Sequence, residues 1–147
     1  MGAERNAGSK WDAERSGVYL APADISSLRG AADRAALAWM ELDTGAARNK
    51  DGFLAACARD LRLPDWFGDN WDALADCLED LSWRPAPGHV ILWRGVSRFA
   101  AAAPNEFATA LEIFRNAAKY CKQRGRLFIA LLDEQPHDTG LPPFSAP

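Results

Sequence analysis

Four aspartates in the middle of the chain recur at helical spacing and could form a continuous anionic surface. They stand 3, 4 and 4 positions apart, which places them on one face of an α-helix, and we name them the acidic stripe: Asp69, Asp72, Asp76 and Asp80. Apolar residues fall on the opposite face and predict a buried side: Trp71, Leu74, Leu78 and Leu81. The pattern predicts a helix that is capped by Asp69 or Asn70 and reaches Leu81.

The acidic stripe has no compensating cations nearby in sequence. Between Arg62 and Arg84 there are six acidic residues and no lysine or arginine, whereas the rest of the chain has 14 acids against 17 bases. Like charges at i,i+4 cost about 0.2–0.5 kcal/mol each, and the helix dipole favours acids only in the first turn. Such a face is either simply solvated or binds a strongly cationic partner. The net charge of −3 argues against direct binding of nucleic acid.

Other kinds of chemistry have weaker support in the sequence. Carboxylates spread over three turns of one helix face form no cage for a metal ion, and His89 and His137 lie outside metal-ligand spacings. Three widely separated cysteines have no histidine near them in sequence and are expected to be reduced core residues: Cys57, Cys77 and Cys121. No glycine-rich phosphate loop follows a predicted strand, so we expect no cofactor. An enzyme that uses carboxylates as acid and base is the least favoured alternative.

The elements that must position the acidic stripe alternate between strands and helices. Apolar runs predict strands at 17–20, 36–42, 89–93 and 126–132. Helices are expected over 24–34 and 51–61, and a long one from an Asn105 cap to Gly125. Nearly continuous apolar strands separated by helices indicate an α/β fold, in which a small parallel β-sheet of three to four strands is covered by helices.

The length and composition predict a single domain. A chain of 147 residues is large enough for one core, which we place at 17–132. Residues 1–16 are polar and small and are expected to form a flexible N-terminal segment, and 133–147 form a tail rich in proline and glycine. No signal peptide is recognised and no apolar run is long enough to span a bilayer, so we expect a cytoplasmic protein without membrane contact.

The segment around the acidic stripe closely resembles the signature of the barstar family, the intracellular protein inhibitors of barnase-type bacterial ribonucleases. The shared features are Pro64, an aromatic pair before Gly68, an Asn-x-Asp-Ala-Leu core that begins at Asn70, and the aspartate at Asp76. The order of the later elements is also similar, so that the resemblance covers about 36–132. Residues 17–35 then look like an addition seen in longer members.

The resemblance implies an inhibitor that needs no cofactor, no metal and no catalysis. Its loop and acidic helix would occlude the basic active site of a microbial ribonuclease or a related nuclease toxin, with carboxylates where substrate phosphates bind. By position, Asp76 would be the central anion and Asp72 a second contact. The loop would contribute Trp66, Gly68 and Asn70, and the remaining members of the acidic stripe, Asp69 and Asp80, complete the predicted partner-binding set.

Two departures from the family pattern bear on the partner. Asn116 stands where the family offers a glutamate on the long helix, and Ala75 stands where it has a tryptophan. The first change weakens one anionic contact. The alternative interpretation is therefore an immunity protein, or an acidic-face binding module, for a different nuclease toxin or another cationic protein.

Overall fold

A four-stranded parallel sheet organises the chain, of which the computed structural model describes residues 11–136 and 139–145. The strands are β1 (Gly17–Leu20), β2 (Ala38–Asp43), β3 (Gly88–Arg94) and β4 (Leu127–Leu132). They lie in the order β1-β4-β3-β2, and every pair is parallel. The central strands β3 and β4 are buried almost throughout, which explains their continuous apolar sequences. The α/β fold predicted from the sequence is confirmed.

Five α-helices lie among the strands in the described part of the chain. They are α1 (Ile25–Arg34), α2 (Lys50–Leu61), α3 (Trp71–Glu79), α4 (Val96–Ala102) and α5 (Pro104–Gln123). Asp24 caps α1 by accepting the Ser27 N–H at 3.0 Å, and Asn49 caps α2 by accepting the Gly52 N–H at 2.8 Å. None of these helices has an apolar stretch long enough to cross a membrane.

The boundaries of α5 and of β2 differ from the sequence-based expectations. Residues 96–102 form a separate helix, α4, and α5 begins at Pro104 rather than after an Asn105 cap. Proline suits the first helical position because its fixed φ is already helical and its missing N–H has no helical partner there. Strand β2 starts two residues later than predicted because Ala36, with φ of 61°, has left-handed backbone after the end of α1.

The core lies on both faces of the sheet, divided by the alternation of the strand side chains. On one face, apolar side chains of β3 and β4 pack against α2, α3, α4 and α5, and include Ile91, Trp93, Phe128 and Ala130. On the other face, the alternate side chains of the same two strands pack against α1 and the C-terminal tail, and include Val90, Leu92, Ile129 and Leu131. Helix α3 is therefore docked on the more heavily covered face.

The outer edge of β4 is covered by residues 16–20, which precede the part of the chain that resembles the barstar family. Strand β1 pairs with Ile129–Leu132 of β4. Just before it, the Ser16 hydroxyl donates to the Arg126 carbonyl at 2.8 Å and accepts the Phe128 N–H at 3.0 Å. The backbone groups on this side of β4 are thus satisfied by residues 16–20.

The tail in turn borders β1. The Leu20 N–H donates to the Pro142 carbonyl at 2.8 Å, and the Phe144 N–H donates to the Leu20 carbonyl at 2.9 Å. Leu141 and Phe144 are buried. The described part of the predicted tail, 133–136 and 139–145, therefore contributes to the core.

The predicted flexible N-terminal segment is described only in its last six residues. Within 11–16, a short 3-10 helix (Ala13–Arg15) is capped by Asp12, and the Trp11 ring stacks on Phe144 at 6.2 Å between centroids. Residues 1–10 and His137 lie outside the described part of the chain. The partition of the chain into these segments stays a prediction.

Candidate functional site

The loop that leads into α3 is held in place by local backbone hydrogen bonds. Arg62 ends α2 in a left-handed conformation with φ of 55°, and the Leu63 N–H donates to the Ala58 carbonyl at 3.2 Å. A turn follows, in which the Phe67 N–H donates to the Pro64 carbonyl at 2.9 Å. The loop 62–70 is therefore ordered by backbone hydrogen bonds.

Asn70 joins this loop to α3. Its side-chain oxygen accepts the Ala73 N–H at 2.7 Å, and its amide donates to the Gly68 carbonyl at 3.3 Å. Asn70, rather than Asp69, is thus the N-cap of the helix. The oxygen and the nitrogen of this side chain thus both form hydrogen bonds within the protein, and Asn70 fixes the conformation of the loop.

The inner side of α3 is fully packed. Leu74, Cys77 and Leu78 are buried, and the ring centroid of Trp71 lies 5.7 Å from that of Phe53. At the C-terminal end, the Trp83 indole N–H donates to the Cys77 carbonyl at 3.0 Å, and Arg126 donates to the Glu79 carbonyl at 2.7 Å. These donors satisfy carbonyls that have no partner inside the helix.

All four members of the acidic stripe are exposed, but only two lie within the helix. Asp72 and Asp76 belong to α3. Asp69 precedes the helix in a left-handed conformation with φ of 54°. Asp80 is the C-cap, with extended backbone, and accepts the Ser82 N–H at 3.1 Å. The helix is thus shorter than predicted, because the chain turns away from it after Glu79.

The carboxylates of the acidic stripe remain available to a partner. Within the described residues, no ion pair involves any of them. Hydrogen bonds from the Ser82 side chain and backbone lower the pKa of Asp80, so that it is anionic. Burial, followed by the charge of Asp76, raises the pKa of the neighbouring Glu79. The negative charge of Asp76 thus acts on its neighbour in the same helix, and the charges of Arg124 and Arg126 offset only part of this effect.

The loop carries an exposed aromatic side chain beside these carboxylates. Trp66 is 57% exposed and is the one large hydrophobic residue with an exposed side chain among the described residues. Gly68 is also exposed, and a Cβ added there would make only ordinary contacts, the nearest at 3.5 Å. The fold itself therefore does not explain the exposed tryptophan or the glycine.

Helix α5 lies beside α3 and adds Tyr120, which the sequence reasoning did not include. Asn116 is exposed, and Tyr120 lies one turn later on the same face of α5. The Arg124 guanidinium lies 3.5 Å from the centroid of the Tyr120 ring and acts on the charge of Glu79. The i+4 spacing from Asn116 was the signal that could have identified Tyr120.

Other reactive groups are structural or inert in this arrangement. No cluster of three or more histidine, cysteine or acidic side chains suited to a metal ion occurs among the described residues. Burial raises the pKa of the Cys57 thiol, and burial with the charges of Asp76 and Asp80 raises that of Cys77 to about 11. All three cysteines are buried and unpaired. They are therefore protonated core residues.

One comparison with known proteins bears on this site. The family model described as Barstar (barnase inhibitor) matches residues 37–133. A search of curated proteins found no match. The matched range holds β2, β3, β4 and every residue of the loop and the acidic stripe, whereas β1 and α1 precede it.

Proposed function

Because the chain belongs to the barstar family, we propose that it is a protein inhibitor that binds a basic ribonuclease and covers the active site of that enzyme. The contact surface would be α3 and the loop 62–70. The observation that carries the proposal is the acidic stripe, which is exposed and has no ion-pair partner among the described residues, on a helix whose inner side is packed. An interaction with a cationic site offsets the repulsion that these carboxylates cause.

The mechanism is competition for the groups that bind the substrate. A ribonuclease active site uses arginine, lysine and histidine to hold phosphate, and carboxylates can accept the same charge-assisted hydrogen bonds. We assign the central position to Asp76 and a second contact to Asp72. Both side chains come from one rigid helix, so that little conformational entropy is lost when they bind. Inhibition of this kind requires no cofactor and no turnover.

The loop adds apolar contact beside the charged contacts. Trp66 would bury its exposed ring on the partner, and an exposed Gly68 allows close approach of the two backbones. The hydrogen bonds of Asn70 preorganise this loop. We place the complex in the bacterial cytoplasm, where it would protect cellular RNA.

A second candidate is immunity to a different nuclease toxin. The observation that favours it is the chemistry of α5 beside the acidic stripe. The family's glutamate is replaced by Asn116, and the turns that follow carry Lys119 and Arg124. A partner matched to this surface would differ from barnase where it meets α5, although its active site would still be basic.

A titration of ribonuclease activity tests the proposal. The protein is added to barnase, and separately to basic nucleases captured from the secreted and toxin proteins of the same organism, while cleavage of a fluorogenic RNA is followed. We expect inhibition that is complete near one equivalent for at least one enzyme. Inhibition of another nuclease but not of barnase would favour the second candidate. The absence of inhibition for every basic nuclease would refute both.

A further inference from the structure

A second site adjoins the acidic helix, at the free edge of the sheet. A pocket of about 550 Å³ is lined by residues of β2, by Arg29 of α1, by the end of α2 and by the segment that follows α3. Three arginines and two tryptophans are among them: Arg29, Arg62, Arg84, Trp39 and Trp83. Arg62 and Arg84 are the cations that bracket the acidic segment in sequence, and the fold brings both to one pocket. Its volume lies in the range of sites for small ligands.

The acidic residues of this pocket are already neutralised. Glu41 lies 3.4 Å from both Arg29 and Arg94, and Asp60 lies 2.7 Å from Arg59. The carboxylates therefore have guanidinium partners of their own, two of which come from outside the pocket lining. The remaining charge of the pocket is positive, although the chain as a whole is acidic.

Two guanidinium groups are left to bind a ligand. Neither Arg62 nor Arg84 has a side-chain hydrogen bond or an ion pair within the described residues. Their backbones are fixed nevertheless, because Arg62 forms the left-handed end of α2 and the Arg84 carbonyl bonds the His89 ring at 2.6 Å. A guanidinium presents a planar fork of donors that fits a phosphate oxygen pair. The site thus has fixed anchors with free phosphate-binding groups.

The two tryptophans give the pocket a second kind of recognition. The Trp39 indole N–H donates to Glu41 at 2.9 Å, and the Trp83 indole N–H donates to the Cys77 carbonyl at 3.0 Å. Because both N–H groups are occupied, the rings can offer a ligand only their apolar surfaces. Both side chains are partly exposed. Aromatic side chains beside cations are also what proteins that bind single-stranded nucleic acids use, since bases stack on the rings while the cations hold the phosphates.

From this combination we propose that the pocket binds a nucleoside monophosphate, with the phosphate on Arg62 and Arg84 and the base against Trp39 or Trp83. The inference does not depend on binding of a ribonuclease, since it concerns the protein alone. It gives the molecule a nucleotide site that shares Arg62 with the surface assigned to the partner.

Calorimetric titration of the full chain tests this site, with AMP, adenosine and inorganic phosphate as separate probes at about 150 mM salt. We expect AMP to bind at least about tenfold more tightly than adenosine or phosphate, because only AMP engages both parts of the site. Arg62→Gln and Arg84→Gln should each weaken AMP binding by about tenfold or more. Arg98→Gln is the matched control, because Arg98 is an exposed arginine on α4 outside the pocket. It should stay within about twofold of the parent.

Three results would overturn the proposal. The first is the absence of saturable AMP binding up to about 10 mM. The second is an equal loss of affinity in Arg98→Gln, which would mean attraction to surface charge only. The third is phosphate binding as tight as AMP binding, which would exclude recognition of the base. Urea unfolding of each variant checks the fold, and Arg84→Gln alone suffices if Arg62→Gln proves unstable.

Discussion

Asp76 offers a test that separates function from folding within one helix. The side chain is exposed in α3, with Asp72 four residues before it and Glu79 three residues after it. Replacement by alanine removes both repulsions, each worth about 0.2–0.5 kcal/mol, and adds about 0.5 kcal/mol of helix propensity. The free energy of unfolding should therefore rise by about 1 kcal/mol, or the melting temperature by about 3 °C.

The neighbouring carboxyl reports the same change independently. The charge of Asp76 contributes to the raised pKa of Glu79, together with burial. In Asp76→Ala the pKa of Glu79 should move down toward its ordinary value, which an NMR titration of the Glu79 side chain measures. No change would mean that the two carboxylates do not interact as the helix geometry requires.

Binding should respond in the opposite direction. Loss of a central charged contact in a desolvated interface is worth about 2 kcal/mol or more, a range to which barnase–barstar variants themselves contribute, and corresponds to about 30-fold in affinity. The assay pairs urea unfolding with ribonuclease inhibition for Asp76→Ala. Asp33→Ala is the matched control, because Asp33 is an exposed aspartate on α1.

The outcomes that refute this reasoning are distinct. If Asp76→Ala inhibits within about threefold of the parent, the acidic stripe is only a solvated face. If it lowers the free energy of unfolding by more than about 1 kcal/mol, Asp76 is structural and its assigned role is wrong. If Asp33→Ala weakens inhibition equally, net charge rather than position governs binding.

Two further tests concern the contact surface, and two concern the buried residues Leu78 and His89. Association with the nuclease should slow markedly between about 10 mM and 500 mM salt, as the Debye length falls from about 30 Å to a few Å, which stopped-flow mixing measures. Asn116→Glu should tighten binding to barnase in calorimetry, because it restores an anion on the exposed face of α5, and an unchanged affinity would mean that α5 does not reach the enzyme. Leu78→Ala should cost about 2–5 kcal/mol in urea unfolding, because Leu78 is completely buried, while any folded protein keeps its inhibition. Burial lowers the pKa of His89 from its ordinary value of 6.5, and outweighs the hydrogen bond to the Arg84 carbonyl, which raises it. The unfolded state therefore binds more protons, and stability should fall as pH drops below about 6.5. In His89→Gln the free energy of unfolding should change less between pH 7 and pH 5.5.

The fold was predictable from the sequence where burial imposes a pattern. The buried runs of β3 and β4 and the apolar side of α3 are fixed by the core, and their residues have the expected spacing. Helix α4 was not predictable because its sequence is short and rich in alanine, with only Val96 and Phe99 as buried residues. Its two buried residues give too little periodicity to distinguish a helix from a loop.

Features that depend on contacts between distant parts of the chain were also not predictable from the sequence. The backbone pairing of Leu20 with the tail joins residues more than 120 positions apart, and no local sequence motif predicts it. The pocket formed by Arg62 and Arg84 depends in the same way on how α3 is docked. The carboxylates themselves were identifiable, because surface charge at helical spacing is a local signal. The end of the helix at Glu79 was not, since Trp83 and Arg126 stabilise it through tertiary contacts.

The covering of β4 by β1 also affects solubility. All six residues of β4 are buried, and residues 16–20, which lie before the matched family region, satisfy its outer backbone groups. A chain shortened to 37–133 would present Leu127–Leu132 as an uncovered apolar edge, which is a template for pairing with another copy and for aggregation. Residues 16–20 therefore protect this edge of the sheet from pairing with a second copy of the chain.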